Sequence, residues 1–389
     1  MSAKRTADTR PDAGRVVIFY KSIPQYRRRF YELLRERLAM DGIGLELIYG
    51  RPAIEDAAKA DSVDLSWAVK AGSRSVRFAG RELIWQKGLT RLRYGDLVIV
   101  EQASKLLLNY VLFALHRCGF IRLAFWGHGK STRSTPLTTV GERAKAFMSR
   151  RMWWWFAYNE RGARFVRSLG YPEHRITSVG NSIDTRALVT AASNVNASSL
   201  VELRSRLGIR GDNVCVFVGG MYEDKRLPFL LSACEFIHNR LPDFEMVFVG
   251  DGPETELVRA AAAQREWLHH VGAKFDEERV PYLMLGKLML MPGAVGLAVL
   301  DAFCLEVPLV TIDVPYHGPE IEYLVDGTNG VIVERGSDAR RYAAVVAELL
   351  IDDDARARLQ EGCRESRERY SIECMAQRFA DGVVGAMRN

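Results

Sequence analysis

The chain has 389 residues, which is long for one hydrophobic core and sufficient for two. Its 48% hydrophobic and 26% charged residues are typical of globular proteins and exclude a mostly disordered chain. The six cysteines are scattered without a CxxC pair or a Cys/His cluster, which argues against a disulfide framework and a structural zinc site. The start is polar, and no stretch approaches the ~20 apolar residues of a membrane span, so we expect a cytoplasmic protein.

Charge is divided unevenly along the chain. Residues 1–190 hold 33 Lys and Arg against 17 Asp and Glu, a net charge of +16. Residues 191–389 hold 21 against 31, a net charge of −10. This asymmetry predicts an anionic partner for the first half, and a chance surface bias is the alternative.

In the first half, short apolar runs alternate with helical patterns, which indicates parallel βαβ units. Residues 1–14 have almost nothing to bury, so we predict a flexible N-terminus there. A helix is predicted over 24–38, with Phe30 and Leu34 on its buried face and Arg28 and Arg35 on the opposite face. The predicted strands are 15–20, 44–50, 96–102, 121–127, 154–159 and 176–181.

The second half repeats this pattern. Its predicted strands are 213–220, 245–252, 288–293, 308–313 and 329–334. Residues 191–212 begin with small polar residues and are predicted to be a linker, and 371–389 are predicted to be a final helix that is a candidate to return to the first domain. The predicted fold class is α/β, with two Rossmann-like, doubly wound parallel-sheet lobes (15–190 and 213–370) facing a cleft that is the default ligand site.

The second lobe contains three turns between a strand and a helix that suit a phosphate ligand. In FVGGMYEDK, Gly219 and Gly220 let the backbone approach a ligand, and Lys225 offers a positive charge, although a solvated first-turn lysine is the alternative. The second turn, FVGDGPE, places Gly250 and Gly252 in the same way.

The third turn lies within MPGAVGLAVLDAFCLEVPLVTID, residues 291–313. Free N–H groups around Gly293 to Leu297, including Gly296, would lie at the positive end of a helix and suit a diphosphate. Asp301 follows one helical turn after Leu297, where it is placed to accept hydrogen bonds from ribose hydroxyls. A local capping or ion-pair role is the alternative for Asp301.

The series GGxxxxK, VGDGPE, GLxxLDA, PLVTID, PE and NG resembles the retaining glycosyltransferases of family 4, which have the GT-B fold, over residues 214–370. The resemblance implies that Lys225 grips the donor diphosphate, that Asp301 contacts the ribose and that Val271 and Gly272 border the base. It also implies a nucleotide-diphosphate sugar (UDP or GDP) as donor substrate, no cofactor and retention of configuration.

Two positions depart from the family pattern. The family's arginine after the first glycine is Gly220 here, and the first glutamate of its Glu-x7-Glu pair falls on Gly293. Glu320, in HGPEIEYL, is a candidate replacement for that glutamate. In the first lobe, FWGHGK places His128 where a family histidine contacts the donor sugar or the reacting region, and a structural histidine is the alternative.

Further predictions concern metals and membranes. No DxD-type dyad ends a strand, so we expect no metal site. The segment 141–156 mixes basic residues with tryptophans, which suits anionic headgroups. Trp153 is the candidate lipid contact, whereas residues 154–156 are assigned to a buried strand.

The predicted function is transfer of a sugar to a glycan or lipid-linked acceptor, with peripheral contact between the basic lobe and the inner face of an anionic membrane. A catalytically silent GT-B homologue that acts as a scaffold is the alternative, motivated by Gly220 and Gly293. Nucleic-acid binding is disfavoured, because the acidic half would repel phosphate backbones. The sequence leaves the sugar, the base, the acceptor and the oligomeric state open.

Overall fold

A computed structural model describes residues 14–51, 62–78, 81–129 and 147–389. The chain divides into two compact units, which we call the N-terminal lobe (residues 1–180 with 373–389) and the C-terminal lobe (181–372). The division after Gly180 falls ten residues before the predicted end of the first domain.

The N-terminal lobe is built on a parallel sheet. Seven strands follow the order β3-β2-β1-β6-β7-β8-β9, and β4 and β5 form a separate antiparallel hairpin. The elements are β1 (Gly14–Tyr20), α1 (Arg28–Met40), β2 (Ile43–Tyr49), β3 (Val69–Lys70), β4 (Ser73–Phe78), β5 (Arg81–Gln86), β6 (Leu97–Glu101), α2 (Leu108–Arg117), β7 (Arg122–Gly127), β8 (Trp154–Ala157), α3 (Glu160–Ser168) and β9 (Ile176–Ser178).

All six strands predicted for this half are present. Five of them contain apolar runs that the sheet buries, whereas β9 is a short edge strand whose residues are only partly buried. The sequence did not predict β3, β4 and β5. Strand β3 has only two residues. The hairpin strand SRSVRF interleaves Ser and Arg with its apolar residues, and RELIWQ has an apolar run of only three residues. The predicted helix begins with a short 3-10 turn, Gln25–Arg27, followed by α1 with Phe30 and Leu34 fully buried.

The C-terminal lobe has six parallel strands in the order β12-β11-β10-β13-β14-β15. This is the strand order of a Rossmann fold, and it reverses between β10 and β13, where such sheets bind ligands. Its elements are α4 (Thr185–Asn194), α5 (Ala197–Leu207), β10 (Asn213–Val218), α6 (Leu227–Arg240), β11 (Phe244–Val249), α7 (Thr255–Ala262), β12 (Leu268–His270), α8 (Val280–Leu283), β13 (Leu288–Leu290), α9 (Ala298–Leu305), β14 (Leu309–Ile312), β15 (Gly330–Val333), α10 (Ala339–Ile351) and α11 (Asp353–Arg369).

The predicted linker, 191–212, is largely helical and belongs to the C-terminal lobe. Within it, Asn196 caps a helix: its side chain accepts a hydrogen bond from the N–H of Ser199 at the start of α5 (2.8 Å). Just before it, Asp184 caps α4 by accepting from the N–H of Ala187 (3.0 Å). Helix α5 ends at Gly208, which has a left-handed backbone (φ 76°).

The last helix, α12 (Ile372–Arg388), packs on the N-terminal lobe. Phe379 stacks on Phe156 of β8 with ring centroids 4.3 Å apart and meets Trp126 edge-on. The indole N–H of Trp153 donates to the carbonyl of Ala386 (2.7 Å). The predicted fold class, α/β with two Rossmann-like lobes, is confirmed. Among the described residues, none of the helices combines the length and apolar character needed to cross a bilayer.

Candidate functional site

Glycines join the loops at the carboxyl ends of β10, β11 and β12. The N–H of Gly219 donates to Val249 (3.0 Å), and the N–H of Gly250 donates to Gly272 (2.9 Å). A Cβ atom on Gly250 would lie 2.0 Å from the carbonyl oxygen of Gly219, so no larger residue fits there. The predicted residues Gly219, Gly250, Val271 and Gly272 therefore lie along one edge of the sheet.

Two further predicted glycines lie beside this row. A Cβ atom on Gly252 would approach the carbonyl oxygen of Met221 to 2.7 Å, and the Met221 N–H donates to Asp251 (2.9 Å). A Cβ atom on Gly220 would lie 2.4 Å from the ring of Tyr222. Since that ring covers Gly220, a side chain at the position of the family's arginine would displace it.

Lys225 is joined to the loop that follows β13. It ends the 3-10 turn Glu223–Lys225, and its Nζ donates to the carbonyl of Ala294. The Ala294 N–H in turn donates to the carbonyl of Asp224 (2.8 Å). Burial lowers the pKa of Lys225, and the charge of Asp224 opposes this effect.

Gly293 lies directly against the backbone of the segment around Lys225. A Cβ atom there would lie 2.2 Å from the carbonyl oxygen of Asp224 and 2.6 Å from the Cα atom of Lys225. The position that carries a glutamate in the resembling family therefore has no room for a side chain here.

The helix start after this loop offers free backbone donors. Among the described residues, no acceptor receives the N–H of Gly296 or Leu297, the two residues before α9. A Cβ atom on Gly296 would meet nothing within 4 Å. Helix N-termini attract anions, and this one lies with Lys225 where the strand order reverses. The structure thus brings Lys225, Gly296 and Leu297 together at an edge suited to phosphate.

Asp301 forms a buried ion pair that the sequence did not predict specifically. Its Oδ1 accepts from the Nε (2.9 Å) and Nη2 (2.6 Å) of Arg279. Burial raises the pKa of Asp301 although the charge of Arg279 acts to lower it. Asp301 therefore has the ion pair that was the alternative role for it, and its contact with a ribose stays a prediction. Arg279 was missed because it lies 22 residues away, in the turn before α8.

Glu320 is buried in the 3-10 turn Pro319–Tyr323, after β14. Its Oε1 accepts a hydrogen bond from the side-chain amide of Asn181 (2.6 Å). A Cβ atom on Gly318 would lie 3.0 Å from the Oε2 atom. These contacts place the carboxylate of Glu320 next to Asn181 and Gly318. A direct catalytic contact of Glu320 stays a prediction.

His317 was not singled out from the sequence, and the structure places it against the same loop. It is buried, and its Nδ1 accepts from the N–H of Val295 (3.1 Å). Its Nε2 lies 2.8 Å from the carbonyl of Ile312 at the end of β14. A histidine beside glycine in a turn after a buried strand was the signal that could have found it.

In the N-terminal lobe, His128 is exposed at the end of β7, and its ring meets Tyr158 edge-on at 4.2 Å. Nearby, the buried guanidinium of Arg27 lies 5.0 Å from the ring of Trp126 and 5.7 Å from that of Tyr158. Burial acts to lower the pKa of Arg27, but the surrounding tyrosines, Tyr26 first among them, raise it overall. The buried cation and His128 thus both contact the ring of Tyr158.

The basic aromatic segment 141–156 is only partly described, since 141–146 lie outside the described residues. The prediction of a buried strand at its end is confirmed by β8. The guanidinium groups of Arg122 and Arg175 lie 5.0 and 5.2 Å from the ring of half-buried Trp153, and its indole N–H is bonded to α12. A lipid contact of Trp153 stays a prediction. Phe147 is the exposed aromatic residue of the segment, with 51% of its surface accessible.

Two further features of the C-terminal lobe bear on where ligands could bind. Within the described part of the chain, no group of three His, Cys, Asp or Glu side chains is placed to hold a metal ion. A cavity of 720 Å³ opens at the amino ends of β11 and β12, where His238, Glu245 and Trp267 line it. It contains none of the predicted site residues.

The family model described as "Glycosyl transferases group 1" matches residues 212–352, which is most of the C-terminal lobe. The chain is 27% identical over 186 residues to the alpha-D-kanosaminyltransferase of Streptomyces kanamyceticus, covering 46% of this chain and 47% of that protein. It is 26% identical over 230 residues to the D-inositol 3-phosphate glycosyltransferase of Corynebacterium urealyticum, covering 54% and 52%. The chain thus spans about half the length of the curated relatives it matches.

Likeness to solved structures extends over both lobes. HepE of Anabaena, solved in complex with UDP-glucose, superposes with a TM-score of 0.65 at 14% sequence identity. The match covers 95% of this chain and 99% of HepE. At this identity the likeness establishes the fold, which is of the two-lobed GT-B type.

Proposed function

We propose that this protein is a glycosyltransferase that moves a sugar from a nucleotide-diphosphate donor to a glycan or lipid-linked acceptor. The observation that carries the proposal is the convergence of Lys225 with the N–H groups of Gly296 and Leu297, which no described residue accepts, at the switch point of the C-terminal sheet. The family match over residues 212–352 supports it independently.

In this reaction, the bond between the anomeric carbon and the diphosphate oxygen breaks, and a bond to an acceptor hydroxyl oxygen forms. Positive charge develops on the sugar and negative charge on the departing diphosphate, which finally takes the acceptor's proton. Lys225 and the helix N-terminus would stabilise the second charge with groups already fixed in place. Retention of configuration is part of the proposal and rests on the resemblance to family 4.

The remaining predicted residues receive roles that follow from their positions. Asp301, held by Arg279, lies one turn into α9, where it can orient the helix start and reach a ribose hydroxyl. Glu320 supports the loop from below through Asn181. His128, exposed in the N-terminal lobe, is proposed to contact the reacting region.

The donor is proposed to be a UDP-sugar, with a GDP-sugar as the second possibility. The complex of HepE with UDP-glucose favours uridine. A protein cation and backbone donors already face the diphosphate position, so we propose that the reaction needs neither a cofactor nor a divalent metal ion.

We also propose that the N-terminal lobe rests on the inner face of an anionic membrane, where a lipid-linked acceptor would lie. This lobe carries 34 Lys and Arg against 18 Asp and Glu. Exposed Arg151 lies over the ring of exposed Phe147 at 3.7 Å, next to Phe113 of α2. Arginine beside an exposed aromatic ring suits the headgroup region of a bilayer.

A catalytically silent scaffold is the second candidate. The absence of the family's side chains at positions 220 and 293 favours it, because Gly293 lies against the backbone of Asp224 and Lys225 and leaves no room for a replacement at the same place. This candidate predicts donor binding without turnover, or no binding.

The test is thermal unfolding with UDP, GDP, ADP and CMP, with and without magnesium, followed by turnover of the matching nucleotide sugar. A ligand at ~100 times its dissociation constant stabilises the fold by about 2.7 kcal/mol. We expect UDP to raise the melting temperature without magnesium, and UDP-sugar to release UDP. If no diphosphate shifts the melt, the proposal fails; if UDP binds but no UDP-sugar is consumed with any acceptor, the scaffold is favoured.

A matched pair of variants assigns the effect to Lys225. Lys225→Ala should weaken UDP binding about 30-fold or more, because a hydrogen bond to a charged group is lost. Lys287→Ala is the control: this half-buried lysine of the same lobe bonds Asn213 (3.0 Å) at the opposite end of β10. Equal UDP affinities in the two variants would remove Lys225 from the site.

A further inference from the structure

The loop between β13 and α9 is held at two consecutive residues. Both backbone groups of Ala294 are bonded to the segment around Lys225: its N–H to the carbonyl of Asp224 (2.8 Å) and its carbonyl to the Lys225 Nζ. Both backbone groups of Val295 are bonded to the turn after β14. Its N–H donates to His317 Nδ1 (3.1 Å), and its carbonyl accepts from the N–H of Gly318 (2.9 Å).

These contacts require one tautomer of His317. Because the Val295 N–H donates to Nδ1, that nitrogen is unprotonated, and Nε2 carries the proton. Nε2 then donates to the carbonyl of Ile312 (2.8 Å), which ties the ring to the end of β14. The N–H of Val314 lies farther from the same Nε2 (3.4 Å), where a protonated nitrogen cannot accept it. The buried ring thus links the sheet to the loop through one acceptor and one donor.

The next two residues are the proposed phosphate donors. Gly296 and Leu297 follow Val295 directly, and among the described residues nothing accepts their N–H groups. Gly318 lies so close to this loop that a Cβ atom there would be 3.3 Å from the Cα atom of Gly296. The orientation of the Val295 peptide therefore determines where the following N–H groups point.

We propose that His317 is a positioning residue for the donor diphosphate, and this inference rests on the proposed function. By accepting the Val295 N–H, its Nδ1 keeps that group from competing for the phosphate and fixes the loop so that Gly296 and Leu297 present their N–H groups together. The ring does not touch the donor. Preorganised donors of this kind bind an anion without a cost of reorganisation on binding.

Two substitutions of His317 test its two hydrogen bonds separately: the one it accepts at Nδ1 and the one it donates from Nε2. In His317→Asn, the side-chain oxygen takes the place of Nδ1 and retains the acceptor for Val295. In His317→Gln, the side-chain nitrogen takes the place of Nε2 and retains the donor to Ile312. Both remove one hydrogen bond and ring packing, so we expect similar losses of melting temperature. We expect UDP affinity within about threefold of wild type for Asn and a loss of about tenfold for Gln.

A second measurement follows the loop without any ligand. Amide hydrogen exchange of the peptide containing Val295 should stay slow in His317→Asn and become fast in His317→Gln. The control is His238→Asn, far from this loop, where the imidazole Nδ1 pairs with the carbonyl of Phe244 (3.3 Å). It should change neither UDP affinity nor exchange at Val295.

The outcomes are separable. If wild type binds UDP and the Asn and Gln variants bind it equally, the positioning role of His317 is overturned while the proposed function stands. The positioning role is also overturned if UDP affinity falls in step with melting temperature in both variants. If wild type binds no nucleoside diphosphate, the proposed function fails and the positioning role fails with it, even where exchange at Val295 behaves as expected.

Discussion

The sheets of the two lobes have a similar strand order, but the loops at the carboxyl edge of each sheet are held in place by different contacts. In the C-terminal lobe, backbone bonds between glycine-rich loops form the edge, as at Gly219, Gly250 and Gly272. In the N-terminal lobe, aromatic side chains surround Arg27, and Phe379 of the last helix packs against Trp126 and Phe156 of the same cluster. A backbone-built edge requires glycine at fixed positions in sequence, whereas a side-chain-built edge can be assembled from residues hundreds of positions apart.

That difference suggests a division of tasks. The glycine-built edge suits a ligand with a constant shape, such as a diphosphate, because backbone N–H groups cannot be varied by substitution. The aromatic edge suits a ligand that differs among proteins, such as an acceptor. Charge follows the same division, since the N-terminal lobe carries a net +16 and the C-terminal lobe, with 20 Lys and Arg against 30 Asp and Glu, a net −10.

The largest expected effect is in the N-terminal lobe. Phe379→Ala removes a fully buried ring from the aromatic cluster and should lower the free energy of unfolding by about 3–5 kcal/mol. UDP affinity should be unchanged, because the loss falls in the lobe without the proposed donor site. Urea unfolding would measure the free energy of unfolding, and titration with UDP at urea concentrations below the unfolding transition would measure UDP affinity. Phe147→Ala, at an exposed phenylalanine of the same lobe, should change stability by less than about 0.5 kcal/mol. A large loss of UDP affinity in Phe379→Ala would mean that the lobes do not divide the tasks.

The sequence predicted most of this architecture and part of the site. Parallel strands are recognisable as apolar runs. Gly250 and Gly252 stand where close backbone approach leaves no alternative residue, and Gly219 stands where a positive φ (129°) favours glycine. Long-range partners were not predictable: Arg279 for Asp301 and Asn181 for Glu320 are set by how helices and turns pack. His317 was missed for the same reason, and Asn196, which caps a helix, was assigned to a polar linker.

The second prediction compares two buried ion pairs, one in each lobe. Arg15 with Asp96 and Arg279 with Asp301 are similarly enclosed, with arginine side chains 17% exposed in both. Asp301→Asn should lower the free energy of unfolding by about 3 kcal/mol, because the buried Arg279 loses its partner charge. Asp96→Asn should lower it by less, because Arg15 keeps its bond to Glu46 (2.7 Å). Only Asp301→Asn should weaken UDP binding. Titration with pyrophosphate sharpens the test: a ribose contact predicts that Asp301→Asn weakens UDP more than pyrophosphate. If Asp301→Asn weakens UDP and pyrophosphate binding equally, Asp301 acts only through its ion pair with Arg279 and makes no ribose contact.

The third prediction concerns two glycines three residues apart in the same loop. Gly293→Ala places a Cβ atom 2.2 Å from the Asp224 oxygen, whereas Gly296→Ala meets nothing within 4 Å. We expect Gly293→Ala to lower the free energy of unfolding by about 1–3 kcal/mol. Gly296→Ala should leave stability nearly unchanged and act on UDP binding instead. Urea unfolding of both variants measures this. A stable Gly293→Ala protein would mean that the loop can move away from Lys225, and the missing family glutamate could then be restored there.

The smallest expected effect tests the charge of the N-terminal lobe. Exposed Arg150 and Arg151 flank the surface around Phe147, so changing both to Gln should weaken binding to vesicles containing anionic lipid by about 1 kcal/mol per charge. Sedimentation with the vesicles measures this, and added salt should shrink the difference between the variant and wild type. Arg210→Gln with Arg358→Gln removes the same charge from exposed positions of the C-terminal lobe and should have no effect. If the two double variants lose binding equally, net charge alone governs the association. If only the first loses it, the membrane contact lies on the lobe whose edge is built from aromatic side chains, where a lipid-linked acceptor would have to arrive.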